Sequence, residues 1–138
     1  MSLAQYTTNL GTMANEVVSA GGTPILVTPL TRRTFSSGKV VENLSNETAK
    51  TIEVAKSQSL HYIDLNKAST AYVNAIGGEA ADRYNLAAGD RTHVNEWGGV
   101  VFARIVSDLL VASYLVDFKD VTVANATLSA TIKAGKPA

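Results

Sequence analysis

The stretch Gly21-Gly22-Thr23-Pro24-Ile25-Leu26-Val27-Thr28-Pro29 decides how the rest of the chain is read. The paired glycines end whatever precedes them, because glycine takes the left-handed turn after a helix C-cap without steric cost. Pro24 to Thr28 is then a short, continuous apolar run, closed by Pro29. A strand that is apolar at successive positions must be buried on both faces, as a parallel strand covered by helices is. Upstream, Leu3, Tyr6, Leu10, Met13, Val17 and Val18 recur at helical spacing and predict a helix from Leu3 to Ala20.

Downstream the alternation continues. Thr31 to Val40 is polar, contains Gly38 and reads as a loop. A helix is expected from about Ser45 to Ser57, with Ile52, Val54 and Ala55 inward. Leu60-His61-Tyr62-Ile63-Asp64-Leu65 reads as a second strand. Ala68 to Ile76 is helical and ends at Gly77-Gly78, and Glu79 to Tyr84 adds a turn or two. A loop over Asn85–His93 leads into a long apolar helix from about Asn95 to Leu115. In the tail, Val121-Thr122-Val123, Leu128 and Ile132 describe either a third strand or a loose extension. Helix–strand–helix–strand–helix is the order of an α/β fold with parallel strands. Two strands cannot cover so many apolar helix faces, and no internal repeat accounts for the surplus. Either another chain completes the sheet, or this is a piece of a larger domain.

Composition narrows the function classes. The 138 residues suffice for one domain with a real core. Lys plus Arg and Asp plus Glu each total 12, so the formal net charge is zero. A nucleic-acid partner calls for a basic excess or stripe, and Arg32-Arg33 is too short to be one. The longest apolar run, from Gly98 towards Leu115, is broken by Arg104, Ser107 and Asp108, so no membrane partner is expected. Met1-Ser2-Leu3 lacks signal-peptide character and reads as an added leader. Without cysteine there is no disulfide, no thiol catalysis and no Cys-ligated zinc. With two histidines and no H-x-x-x-H or E-x-x-H helix pattern, neither a metal nor another cofactor is expected. Three N-x-[ST] sequons begin at Asn43, Asn46 and Asn125. Such triplets also arise by chance; read functionally, they describe a secreted eukaryotic glycoprotein whose signal peptide lies outside this chain.

The chemistry gathers in Gly89-Asp90-Arg91-Thr92-His93-Val94-Asn95-Glu96-Trp97-Gly98-Gly99, immediately before the last long helix. Helix N-termini share an edge with strand C-termini in α/β sheets, and ligands bind at that edge. Asp90, three residues before His93, is placed to accept from one ring nitrogen. The other nitrogen is then free to take a proton from a hydroxyl. A bare D-x-x-H is also how an acid at a helix start pairs with a neighbouring histidine, so the motif alone is weak. Arg32 and Arg33 follow the first strand at the same edge and are candidate substrate-binding groups, although loop arginines are commonly just solvated. Trp97, one turn into the helix, is a candidate for sugar stacking, with packing as its default role. Asp64 and Asn66 either support the site or cap the next helix. His61 heads a strand at the far edge and reads as structural.

Taken in order, "GGTPILVTPLTRR", a polar loop, a helix, "HYIDLN", a helix and "DRTHVNEWGGVVFARIVSDLL" resemble the C-terminal part of the SGNH (GDSL) ester hydrolases. Within them the chain is most similar to the rhamnogalacturonan acetylesterases. The matching elements run from about Tyr6 to Leu110, in a single domain read as residues 6–115 plus a tail of 116–138. The resemblance implies a three-layer, flavodoxin-like fold of five parallel strands, of which this chain supplies the last two. It also implies that Asp90 and His93 stand where the family has the Asp and His of its catalytic triad. The implied substrate is an acetylated, pectin-like carbohydrate or another small ester. The family's Gly-Asp-Ser nucleophile block and Gly-x-Asn-Asp block are missing. No serine stands in G-D-S or G-x-S-x-G; Ser2 and Ser36-Ser37-Gly38 lack the strand-to-turn context. The nucleophile is therefore unassigned.

Two other readings stand beside this one. The first is an inert, truncated α/β domain that self-associates through its unpaired sheet edge, which makes a homo-oligomer the expected assembly. A flavodoxin-like receiver or nucleotide-binding domain fits the element order but lacks a glycine-rich phosphate loop after a strand, and ranks last.

Overall fold

In the computed structural model, which describes all 138 residues, the two expected strands lie side by side and parallel. Strand β1 (Ile25–Val27) pairs with β4 (His61–Ile63), Ile25 facing His61, Leu26 facing Tyr62 and Val27 facing Ile63. Between them run the hairpin β2 (Phe35–Ser36) and β3 (Lys39–Val40), then helix α2 (Ser45–Ser57). Helix α1 (Leu3–Ser19) precedes β1; α3 (Leu65–Asp82), α4 (Glu96–Ser113), the short α5 (Leu115–Phe118) and α6 (Ala126–Lys133) follow β4. The chain is thus mixed α/β, predominantly helical, with a small parallel sheet.

Side chains alternate across the sheet, so Leu26 and Tyr62 share one face while Val27 and Ile63 share the other. The first face packs against α1 and α2 in a cluster of Ala14, Leu26, Val54 and Ala55, with Leu10 and Leu60 at its margin. On the second face coverage stops halfway: Ile63 is 2% exposed, but Val27 is 45% exposed. The outer edge of β4 is closed by a side chain. The Tyr114 hydroxyl accepts from Tyr62 N–H at 3.2 Å and donates to the Tyr62 carbonyl at 3.1 Å. The outer edge of β1 has no strand beside it.

The larger core lies among α3, α4 and α6, where Tyr72, Val73, Tyr84, Val101, Phe102, Ile105 and Leu128 meet. Side-chain caps set the starts of these helices. Asp64 accepts from Lys67 N–H at 3.0 Å, Asn95 from Gly98 N–H at 2.8 Å and Asn125 from Leu128 N–H at 3.0 Å. No helix is long and apolar enough to cross a membrane.

Three local expectations are corrected. Thr31–Val40 is not all loop: Ser37 and Gly38, both at positive φ, form the two-residue turn of β2–β3. The expected interruption at Gly77-Gly78 is present: Gly77, at φ 78° and ψ 167°, leaves the helical conformation, and a second helical segment follows it within α3 as far as Asp82. The tail forms neither a strand nor a loose extension, because Leu128 and Ile132, four residues apart, pack α6 against the core. The strands themselves are shorter than expected at both ends.

Gly98 allows the start of α4 to approach the chain before it. A Cβ there would lie 2.8 Å from the Tyr84 carbonyl oxygen and 3.1 Å from Val94 Cβ. Gly98→Ala therefore gains up to about 1 kcal/mol of helix propensity but forces backbone apart at a cost of roughly 1–3 kcal/mol. A lower urea midpoint with an unchanged slope is the expected result; a raised midpoint would show that the approach is not tight.

Candidate active site

The loop carrying the candidate pair leaves the turn after α3 at Tyr84, turns through Gly89 at φ 79° and returns to the start of α4. Its arms are joined by an antiparallel bridge, Asn85 to Val94. Leu86 N–H donates to the His93 carbonyl at 3.1 Å, and Asn95 N–H donates to the Tyr84 carbonyl at 2.9 Å.

Within this loop the Asp90 carboxylate gathers three donors from two residues. Its Oδ1 accepts from the backbone N–H groups of Thr92 and His93, each at 3.0 Å. Its Oδ2 lies 2.9 Å from His93 Nδ1. With the carboxyl ionised, Nδ1–H is the donor, which fixes the tautomer and leaves Nε2 with its lone pair. Nε2 makes no hydrogen bond within the chain, and the imidazole side chain is 70% exposed. The pair is thus a base held from behind and open at the front.

The same contacts act on the acid. The His93 backbone N–H, then the His93 ring and the Thr92 N–H, pull the Asp90 carboxyl down to about 2 from its ordinary 3.8. Because the folded value is the lower one, ionised Asp90 favours the folded loop above the usual carboxylate range. That contribution is lost as pH falls through about 2. A carbon-detected titration of the Asp90 carboxyl should find it still ionised at pH 3, where an unperturbed carboxyl is mostly protonated. A midpoint at the ordinary value would mean that the loop contacts do not form.

The remaining predicted site residues separate. Arg33 is 0% exposed and cannot meet a solute, which corrects its expected role in substrate binding. Its Nε donates to Asn85 Oδ1 and its Nη2 to the His93 carbonyl, both at 2.6 Å, while its backbone N–H donates to the Arg91 carbonyl at 3.0 Å. Arg32 is half-buried, with Nε buried and unpartnered. Trp97 is 50% exposed, and its indole N–H donates to the Ala138 carbonyl at 3.0 Å. Asp64 and Asn66 tie the strand ends together. Thr28 Oγ1 donates to Asp64 Oδ1 and accepts from Asn66 N–H, while Asn66 Nδ2 donates to the Pro29 carbonyl. His61 packs its ring edge-on against Tyr114, centroids 4.8 Å apart, and makes no ion pair with a carboxylate.

Sequence reasoning missed Asn85 and Asp82. Asn85 Nδ2 donates to Asp82 Oδ1 at 2.9 Å, orienting the amide whose oxygen receives Arg33. Nothing in the local sequence marks either residue, because the partner that gives them a role is remote in the chain. None of the larger cavities is lined by Asp90 or His93; one of about 330 Å³ lies beside Arg104, Asp108 and Lys119 instead. The pair stands on an open rim, without walls to enclose a substrate.

No family model matches the chain, and no curated protein sequence matches it. Among solved structures it is similar to the crystal structure of protein YxiM from Bacillus subtilis. The two share 29% identity with a TM-score of 0.74, over 83% of this chain and 33% of that one. The chain therefore spans about a third of the length of that protein.

Proposed function

We propose that this chain carries the acid–base half of an SGNH-type ester hydrolase, with His93 as the base and Asp90 as its orienter. The observation that carries the reading is the contact from Asp90 Oδ2 to His93 Nδ1 at 2.9 Å, which leaves Nε2 free and exposed. The parallel β1–β4 pair, the place of His93 just before α4 and the likeness to a part of a much longer protein support it. In this reading β1 and β4 are the last two strands of a three-layer, flavodoxin-like sheet. The open edge of β1 is where that sheet continues.

The chemistry follows from the pair. A serine hydroxyl supplied from outside this chain loses its proton to His93 Nε2 as its oxygen attacks the acetyl carbonyl. The tetrahedral intermediate collapses, its C–O bond to the sugar breaks, and the imidazolium returns the proton to the leaving alcohol. Water then takes the alcohol's place, again deprotonated by His93, and acetate leaves as the serine is regenerated. Asp90 keeps Nδ1 protonated throughout and offsets the positive charge on the ring. An acetylated carbohydrate or another small ester is the proposed substrate. Without the serine and an oxyanion hole, each of whose donors contributes roughly 10²–10³-fold, the chain alone is inert towards unactivated esters. Asn43, Asn46 and Asn125 are all exposed, as the sequons of a secreted glycoprotein must be, and secretion belongs to the proposal. Hydrolysis of an activated acetate ester by the purified chain, beside His93→Ala, tests the reading. A rate that falls with the substitution supports it, and equal rates overturn it.

A second reading has its own observation. Val27, on the strand whose outer edge has no partner, is 45% exposed, and Met13 and Val17 on α1 are 55% and 42% exposed. A second copy pairing along β1 would cover that edge and make the chain a homo-oligomer without catalysis. Sedimentation at high concentration decides: a Val27→Lys substitution should dissociate such an oligomer. A parent chain that is already monomeric rules it out.

A further inference from the structure

The contacts of the loop from Ala87 to Val94 show an asymmetry. Apart from those of Arg33, the hydrogen bonds of this loop and of the adjoining Asn95 reach only Asp82, Arg83, Tyr84 and Leu86 of its own N-terminal arm, and those of Asp90 are internal. Beyond these bonds the Val94 side chain packs on the main core, which leaves the backbone carbonyls of the loop free to turn. One residue from outside reaches in with hydrogen bonds. Arg33, on the segment that follows β1, donates to the carbonyls of Arg91 and His93 and to Asn85, so both arms are tied to the sheet.

We propose that Arg33 is a positioning residue: it fixes the backbone of His93 so that the ring stays on Asp90 with Nε2 outward. The proposal rests on reading the pair as the acid–base element. Several features set Arg33 apart from an ordinary core residue. It is 0% exposed, and no carboxylate lies within salt-bridge distance of it. A buried cation without a carboxylate partner is a costly way to fill volume, which an apolar side chain of similar size fills more cheaply. What only arginine supplies is a rigid planar fork, able to hold Asn85 and His93 in one fixed relation. Phe102 supports that fork from below, its ring centroid 5.9 Å from the guanidinium carbon. Burial weakens the guanidinium's hold on its proton, while the charges of Asp90 and Asp82 strengthen it, and these two are the acids of the loop and its N-terminal arm. Nη1 is buried without a partner, so two of the three guanidinium nitrogens carry the work.

The test is the tautomer of His93, read from long-range proton–nitrogen spectra of the purified chain, which needs neither substrate nor serine. In the parent chain Nδ1–H should dominate. In Arg33→Met, which keeps length and loses every donor, Nδ1–H should become the minor form and the ring signals should broaden, while amides of the β1–β4 ladder stay in place. Arg33→Lys keeps the charge beside Asp90 and Asp82 but loses the fork, and should change the tautomer in the same direction. An unchanged tautomer in folded Arg33→Met overturns the proposal, and so does full restoration by lysine, since charge alone would then suffice. Should Arg33→Met fail to fold, Arg33→Lys and the parent chain decide. The parent's Arg33 Nε–H must exchange with solvent far more slowly than that of exposed Arg83, and equal rates overturn the proposal. Failure of the hydrolase reading is seen separately, as ester hydrolysis indifferent to His93→Ala.

Discussion

His93→Ala should reduce the purified chain's turnover of an activated acetate ester by on the order of tenfold or more. That is below the roughly 10²–10⁴-fold of a positioned base in a closed site. Bare imidazole is base and nucleophile enough for an ester with a good leaving group, so the missing serine does not prevent this measurement. The reason to expect the rate at His93 is geometric. Asp90 holds Nδ1 at 2.9 Å, and Nε2 is unengaged on a side chain 70% exposed. His61 is the internal control, exposed but held against the Tyr114 ring and without a carboxylate partner. His61→Ala should change the rate little. Asp90→Asn should fall between the two, because the amide can hold the ring but cannot stabilise the imidazolium. An unactivated acetylated sugar should not be hydrolysed by any of these proteins.

Phe102→Ala should be the most damaging single truncation for stability. Phe102 is 4% exposed, its ring meets Tyr72 and Tyr84 edge-to-face at 6.4 and 5.7 Å, and Arg33 lies over its face. Removing a buried aromatic ring leaves a cavity and costs about 3–5 kcal/mol. Each kcal/mol lowers Tm by roughly 3–5 °C in a chain of this size, so a fall of more than about 10 °C is expected. The loss also reaches the site, because the cavity opens beneath the fork that holds His93. Phe102→Leu keeps most of the volume and should cost less than half as much. A thermal melt checks both; a shift of a few degrees for alanine would mean that α3 and α6 collapse into the space.

The parallel sheet was legible in Pro24–Thr28 because an apolar run bounded by prolines and glycine admits few other structures. The start of the last long helix was equally legible from Asn95, whose side chain caps it, and the Asp90–His93 contact from a spacing of three before that cap. Other features were hidden by competing signals. Val121-Thr122-Val123 alternates like a strand, yet the spacing of Leu128 and Ile132 behind the Asn125 cap makes a helix there. Gly77-Gly78, by contrast, was legible as a break, because Gly77 stands at φ 78° and ψ 167°, a conformation that glycine alone takes readily. The role of Arg33 could not be seen locally: its side-chain acceptors lie 52 and 60 residues further along the chain. A basic dipeptide after a strand looks solvated until the fold closes over one of its members.

In the proposed function Asp90 makes His93 a base whose outer nitrogen is free. The ring nitrogen spectrum of the unaltered chain near neutral pH, with His93→Ala to assign the signals, tests it most directly. In its neutral form the ring should carry its proton at Nδ1 and be bare at Nε2. A ring protonated at Nε2 and bare at Nδ1 would contradict it, because the nitrogen facing Asp90 would then have no proton to donate and the one facing outward could accept none.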